Sequence, residues 1–265
     1  MVSEMDENRF LILMYHMISA PRSESEIKYA CTPGLFEKHM RFIRENCNAI
    51  SLDDVVKHHM QRIPLPENSV VITIDDGFED NFINGYPILK KYSIPSTIFL
   101  TSGMLGEKNS WMSSRGFPER KLLSWNQIKQ MQDLVDFGAH TINHVCLPDI
   151  DQDTARKEIS GSKAIIEENL GAEVKHFAYP YGLLNEQVVK LVKEAGFVSA
   201  CSTRSGFNNK STDMFKLRRI EIFGNDSLWK VKQKLQFGTN EASVFQPLKY
   251  YASRIISRIA GERNM

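Results

Sequence analysis

Two short segments carry the residue types that could do chemistry. Thr73-Ile74-Asp75-Asp76-Gly77 sets two carboxylates side by side where the apolar run Val70–Ile74 meets a turn glycine. His140-Thr141-Ile142-Asn143-His144 sets two imidazoles four residues apart, just past another apolar segment. A hydrolytic zinc takes its protein ligands from His and Asp or Glu and keeps a position open for water, which then loses a proton near neutral pH. Asp76, His140 and His144 would supply such a set, leaving Asp75 free to act as a base. Asp-Asp-Gly alone reads as a turn, which those residues favour; the paired histidines and the placement of both segments weigh against that reading. Thr141 stands where the zinc proteases carry the glutamate of HExxH, so protease chemistry of that kind is excluded. Cys146 lies near His144, but the Asp-His-His set is complete without it.

Such residues need a scaffold that brings them together. Short apolar runs at Phe10–Tyr15, Val70–Ile74, Thr97–Leu100, Leu134–Gly138, His176–Tyr179, Val198–Cys201 and Leu217–Phe223 read as strands. Helix-period segments lie between them. Pro33 opens one, with Leu35, Phe36, Met40 and Ile43 on one side. Ser124-Trp125-Asn126-Gln127 opens another as a capping box. Helices over Asp151–Leu170 and Asn185–Ala195 stop at Gly171 and Gly196. Runs this short that still bury fully are typical of parallel strands covered by helices. The repeated β-then-α order predicts an α/β fold, a single distorted (β/α) barrel of about seven strands. In such barrels the reacting groups collect at the C-terminal ends of strands, where Asp75, Asp76 and His140 all fall. The expected barrel covers residues 1–225 and a C-terminal helical extension residues 226–265. In that extension Pro247–Ala260 places Leu248, Tyr251, Ile255 and Ile259 on one helical stripe, with Lys249, Arg254 and Arg258 off it.

The bulk properties narrow the function classes. A chain of 265 residues with 42% hydrophobic and 25% charged residues is ordinary for a globular protein. A formal net charge of +1 gives no reason to expect a nucleic-acid partner. The four cysteines, Cys31, Cys47, Cys146 and Cys201, lack CxxC spacing and read as reduced thiols. The apolar run Phe10–Tyr15 is far shorter than the ~20 residues that span a bilayer, and Glu4, Asp6 and Glu7 before it are the wrong flank for a signal peptide. The expected location is cytoplasmic. The basic flank of the terminal helix could touch a membrane surface, although such a stripe more often packs on its own domain.

Thr73–Gly77, His140–His144 and Phe177-Ala178-Tyr179-Pro180-Tyr181-Gly182 resemble the first three motifs of the polysaccharide deacetylases, the NodB-homology group or carbohydrate esterase family 4. The motifs occur in the family's order, and the resemblance runs from Ile12 to about Gly224. It implies a distorted barrel that removes acetyl groups from glycans with one divalent metal; the aspartate-and-imidazole donor set suits zinc first, with cobalt or nickel as alternatives. It also implies Asp75 as base, Asp76, His140 and His144 as metal ligands, and the Tyr181 backbone N–H as a donor to the oxyanion. Tyr15, Pro180 and Trp125 fall beside these motifs as candidate substrate contacts; Trp125 could equally be core.

Two departures stand out. Ala178 occupies the place of an arginine that orients the base in most relatives, and no histidine follows His176 to serve as the usual acid. Leu13-Met14-Tyr15-His16-Met17-Ile18 is similar to the segment opening a circularly permuted branch that includes poly-N-acetylglucosamine deacetylases. That similarity makes His16 the acid, and it matches Arg219 to an arginine that could stand in for the one lost at Ala178. The implied substrate is an N-acetylated sugar or glycan, free or lipid-linked. Another acyl amide, or glycan binding without turnover, are the competing readings.

Overall fold

In a computed structural model, which describes residues 9–246, 248 and 250, short parallel strands alternate with helices. The order is β1 (Phe10–Tyr15), α1 (Pro33–Asn46), β2 (Asn48–Ile50), α2 (Leu52–Gln61), β3 (Ser69–Ile74), α3 (Tyr86–Tyr92), β4 (Ser96–Leu100) and α4 (Trp125–Met131). There follow β5 (Val135–Ala139), α5 (Gln152–Leu170), β6 (His176–Ala178), α6 (Glu186–Glu194), β7 (Ser199–Cys201), β8 (Ile220–Glu221) and α7 (Leu228–Phe237). The sheet runs β7-β6-β5-β4-β3-β1-β8, and β2 pairs with the first half of β3. Every pairing between these strands is parallel, as helix-covered strands require. The result is the expected distorted α/β barrel.

The seam explains one difference from the expected elements. Leu217–Phe223 is not one continuous strand. Leu217 exchanges hydrogen bonds with β7, from its N–H to Ala200 O and from Ser202 N–H to its own carbonyl. Three residues later Ile220 and Glu221 pair with Met14's strand, β1. Arg219 lies between, where the chain passes from one neighbour to the other.

Strand parity sorts the core. Leu11, Leu13 and Tyr15 of β1, and Val70, Ile72 and Ile74 of β3, pack with Phe36, Met40 and Ile43 of α1. Phe10, Ile12 and Val71 face the barrel interior with Phe99, Ala178, Cys201 and Leu217. Successive side chains point to opposite faces, so Tyr15 and His16 cannot both face inward. The α2 helix lies across the N-terminal end of the barrel, where Asp53 reaches His176 Nε2 at 3.0 Å and Lys175 Nζ at 2.7 Å.

After β8, α7 returns alongside α1. Its buried Lys234 Nζ pairs with the buried Asp226 carboxylate and donates to Glu221 O at 2.8 Å. Of the expected Pro247–Ala260 helix, all but Leu248 and Tyr250 lies outside the described residues. Among the described residues no helix is long and apolar enough to cross a membrane.

The α1 helix contributes a buried titratable group. His39 Nε2 donates to Asp226 O at 3.0 Å, and its Nδ1 takes the Tyr15 hydroxyl at 3.3 Å. Burial pushes its pKa from 6.5 down to about 4. The unfolded imidazole binds a proton below about 6.5 while the folded one stays neutral to about 4. Its contribution is therefore full above pH 6.5 and falls as the pH drops toward 4, by up to about 3 kcal/mol. Urea unfolding at pH 7 and pH 4.5 should show a smaller acid loss for His39→Gln than for the wild type. Equal losses would remove His39 from the effect.

Candidate active site

At the end of β3 the two adjacent aspartates part company. Asp75 continues the inward series of Val71 and Thr73 and meets Arg219 bidentately. Arg219 Nη1 donates to Oδ1 at 2.6 Å and Nη2 to Oδ2 at 2.8 Å. The guanidinium is fully buried, with Nε donating to Ser202 O at 2.9 Å and Nη1 also to Thr73 Oγ1 at 3.3 Å. Burial alone would raise the Asp75 pKa, but Arg219 and His140 outweigh it and hold the carboxyl below its usual range. Arg219 thus reaches from the seam the carboxylate that Ala178, on β6, has no side chain to reach.

Asp76 turns the other way through a left-handed backbone, φ 77°. Its Oδ1 lies 3.6 Å from His140 Nε2 and 3.2 Å from His144 Nε2. Potential ligand atoms of the three residues all lie within 4.8 Å of one another. Burial opposes the Asp76 charge as well, yet His144, His16 and His140 hold its pKa well below the carboxylate range. His140 Nδ1 donates to Ala178 O at 2.7 Å, which places the proton there and leaves Nε2 with its lone pair facing Asp76. Burial pushes the His140 pKa down to about 4, so the ring is in its neutral, ligating form at pH 7.

These residues fit a divalent cation. Asp76 Oδ1 is buried without a hydrogen-bond partner, a costly state for a polar atom that a ligated cation at Asp76 would relieve. One carboxylate and two imidazoles suit zinc, cobalt or nickel. Among the described residues, Cys146 does not join the cluster.

His16, Asp75, Asp76, His140, His144 and Tyr181 line one cavity of about 250 Å³ at the C-terminal end of the strands. The His16 ring meets Tyr29 edge-on at 5.2 Å, and Asn81 Nδ2 donates to the His16 carbonyl at 2.9 Å. Tyr181 sits in a single turn, Pro180–Gly182, with φ 61°. The hydrogen bonds of that turn run from Gly182 N–H to Tyr179 O and from Leu183 N–H to Pro180 O, and use neither bond partner on Tyr181. Asp76, His144 and Tyr181 are all left-handed non-glycine residues, a conformation of order 1–3 kcal/mol each that persists where the surroundings enforce it.

Three residues expected to contact substrate are not brought to the cavity. Tyr15 has the wrong parity and faces α1, its ring against Phe36 at 5.1 Å. Trp125 opens α4 and packs half-buried on the outer core layer. Pro180 is the buried first residue of the Tyr181 turn and does not line the cavity. The indole at the site is Trp111, stacked on His144 at 4.9 Å and 15°. Arg115 completes that wall, its guanidinium 4.7 Å above the Tyr181 ring. Neither shows in the sequence, because no fixed spacing ties a residue of the β4–α4 loop to His144.

The family model described as polysaccharide deacetylase matches residues 62–200, just over half of the chain. The poly-beta-1,6-N-acetyl-D-glucosamine N-deacetylase of Staphylococcus epidermidis is 28% identical over 244 residues, covering 84% of this chain and 81% of that protein. Its namesake from Staphylococcus aureus is 29% identical over 238 residues, covering 82% and 79%. Among solved structures, IcaB from Ammonifex degensii aligns with a TM-score of 0.71 and 25% identity over 80% of this chain and 91% of that one. The Streptococcus pyogenes deacetylase PplD, solved in complex with acetate, shares the fold, with a TM-score of 0.74 and 24% identity over 86% and 99%.

Proposed function

The chain belongs to the polysaccharide deacetylase family, whose members are hydrolases acting on carbon–nitrogen bonds, and from that premise we propose that it removes the acetyl group from an N-acetylated sugar or glycan. The observation that carries the reading is the division between the adjacent carboxylates. Asp75 is held by Arg219 as an ionised acceptor, while Asp76 shares the histidine cluster and keeps an unpartnered oxygen. A glycan-binding protein without turnover needs no such second carboxylate.

Asp76, His140 and His144 would hold the divalent cation. When bound, it polarises the acetamide carbonyl and acidifies water. Asp75 takes the proton of the attacking water, and Arg219 keeps the carboxylate aimed at the cavity. The Tyr181 N–H donates to the oxyanion of the tetrahedral intermediate, a contribution of about 3–4 kcal/mol for one donor in comparable sites. His16, protonated, gives its proton to the departing sugar amine. A cavity of about 250 Å³ has room for the reacting acetamide and its own sugar ring, so oligomeric, nucleotide-linked and lipid-linked N-acetyl sugars all remain candidate substrates.

Acetate release from zinc- or cobalt-loaded protein across such a panel tests the reading. Acetate should disappear on chelation and return with metal, and His16→Ala should slow its release. No acetate from any member, with metal demonstrably bound, would overturn deacetylation of these sugars.

A further inference from the structure

The loop that carries both histidines is held in a demanding conformation. Thr141 and His144 have φ of 64° and 55°, which neither side chain favours. On one side α5 presents Glu158, only 7% exposed. Its Oε2 accepts from the Ile142 and Asn143 backbone N–H groups, both at 2.9 Å, and its Oε1 accepts from Asn143 Nδ2 at 2.6 Å. Successive N–H groups converging on one oxygen form an anion-binding nest, here filled by a carboxylate of the same chain. On the other side the turn after β4 donates Ser102 N–H to Thr141 O at 3.1 Å and Gly103 N–H to Ile142 O at 2.9 Å. Two glycines allow these walls to close. A Cβ at Gly103 would lie 2.9 Å from Ile142 O, and one at Gly161 would lie 2.7 Å from Ile142 Cδ1.

We propose that Glu158 is a positioning residue that sets the metal affinity of the site by holding the His140–His144 loop in its ligating shape. The proposal rests on the reading that Asp76, His140 and His144 bind a divalent cation. Removing the carboxylate leaves two backbone N–H groups and the Asn143 amide without their acceptor, and frees the segment that sets the distance between the imidazoles. Asp75, Arg219 and His16 keep their partners, so the effect falls on binding.

Calorimetric titration of zinc and cobalt into metal-free protein, with the visible spectrum of the cobalt form, provides the test. Glu158→Ala should bind about 10–100-fold more weakly, the range seen for outer partners of metal ligands, with a changed cobalt spectrum. Glu158→Gln should keep most of the affinity, since its carbonyl can serve both backbone N–H groups while the Asn143 amide turns over to meet its NH2. Gly103→Ala, which presses on the same loop from the opposite side, should weaken binding as well and stands in if Glu158→Ala does not fold. Wild-type affinity in Glu158→Ala would overturn the proposal, as would a Glu158→Gln protein as weak as the alanine variant. A wild-type protein that takes up neither metal would overturn the metal reading itself, and this one with it.

Discussion

Asp75→Asn is expected to lower turnover by about 100- to 10,000-fold, the range that a general base supplies, while metal uptake stays near wild type. Asparagine keeps the shape and still offers one oxygen to Arg219, but it cannot receive the water's proton. The change has a second effect. Arg219 is fully buried and its charge faces Asp75. Removing one member of a buried pair typically costs 3–5 kcal/mol, roughly the price of an uncompensated charge. Thermal melts must therefore accompany the kinetics, and turnover must be read well below the new midpoint. Asp75→Asn combined with Arg219→Gln should recover stability without recovering turnover. Near-full turnover in Asp75→Asn would remove Asp75 from the role of base.

Asp76→Ala should abolish both metal binding and turnover. Its Oδ1 faces both imidazoles, at 3.6 and 3.2 Å, so it supplies the only charge among the candidate ligands. The expected loss of affinity exceeds about 100-fold, the upper end for residues that merely support a ligand. The contrast with its neighbour is the informative comparison. Asp75→Asn separates rate from metal affinity, whereas Asp76→Ala lowers the two together. Calorimetry on both variants with the same metal decides it, and an Asp76→Ala protein that binds metal as tightly as wild type would refute the assignment.

Much of the barrel is legible in the sequence because its strands are short, fully buried and bounded by strong stop signals. Phe10–Tyr15 begins and ends where the apolar run does, and α5 stops at Gly171 as the glycine requires. What escapes the sequence depends on contacts between distant segments. The strand β2 is three residues long and opens on Asn48, too short for an alternation to show. The break at Arg219 follows from the seam, which no local pattern encodes. At the site, the alternation of β1 turns Tyr15 toward α1 and His16 into the cavity, so the two cannot both contact substrate as the sequence reading expects. Trp111 and Glu158 carry no such signal. Each meets the histidine loop only because the β4–α4 loop and α5 fold against it.

The position of Arg219 at the seam also bears on how the protein is made. A ribosome has synthesised Asp75, Asp76, His140, His144 and His16 well before the arginine emerges. Until then the carboxylate at the centre of the barrel has no guanidinium to meet, and burying it unpaired is unfavourable. Chains arrested short of the seam can hold every metal-ligand candidate and still be unable to close around them. Pairing of Asp75 and closure at the seam both wait on the same late-made segment, so a chain truncated before Arg219 should be cleaved by protease faster than the full chain.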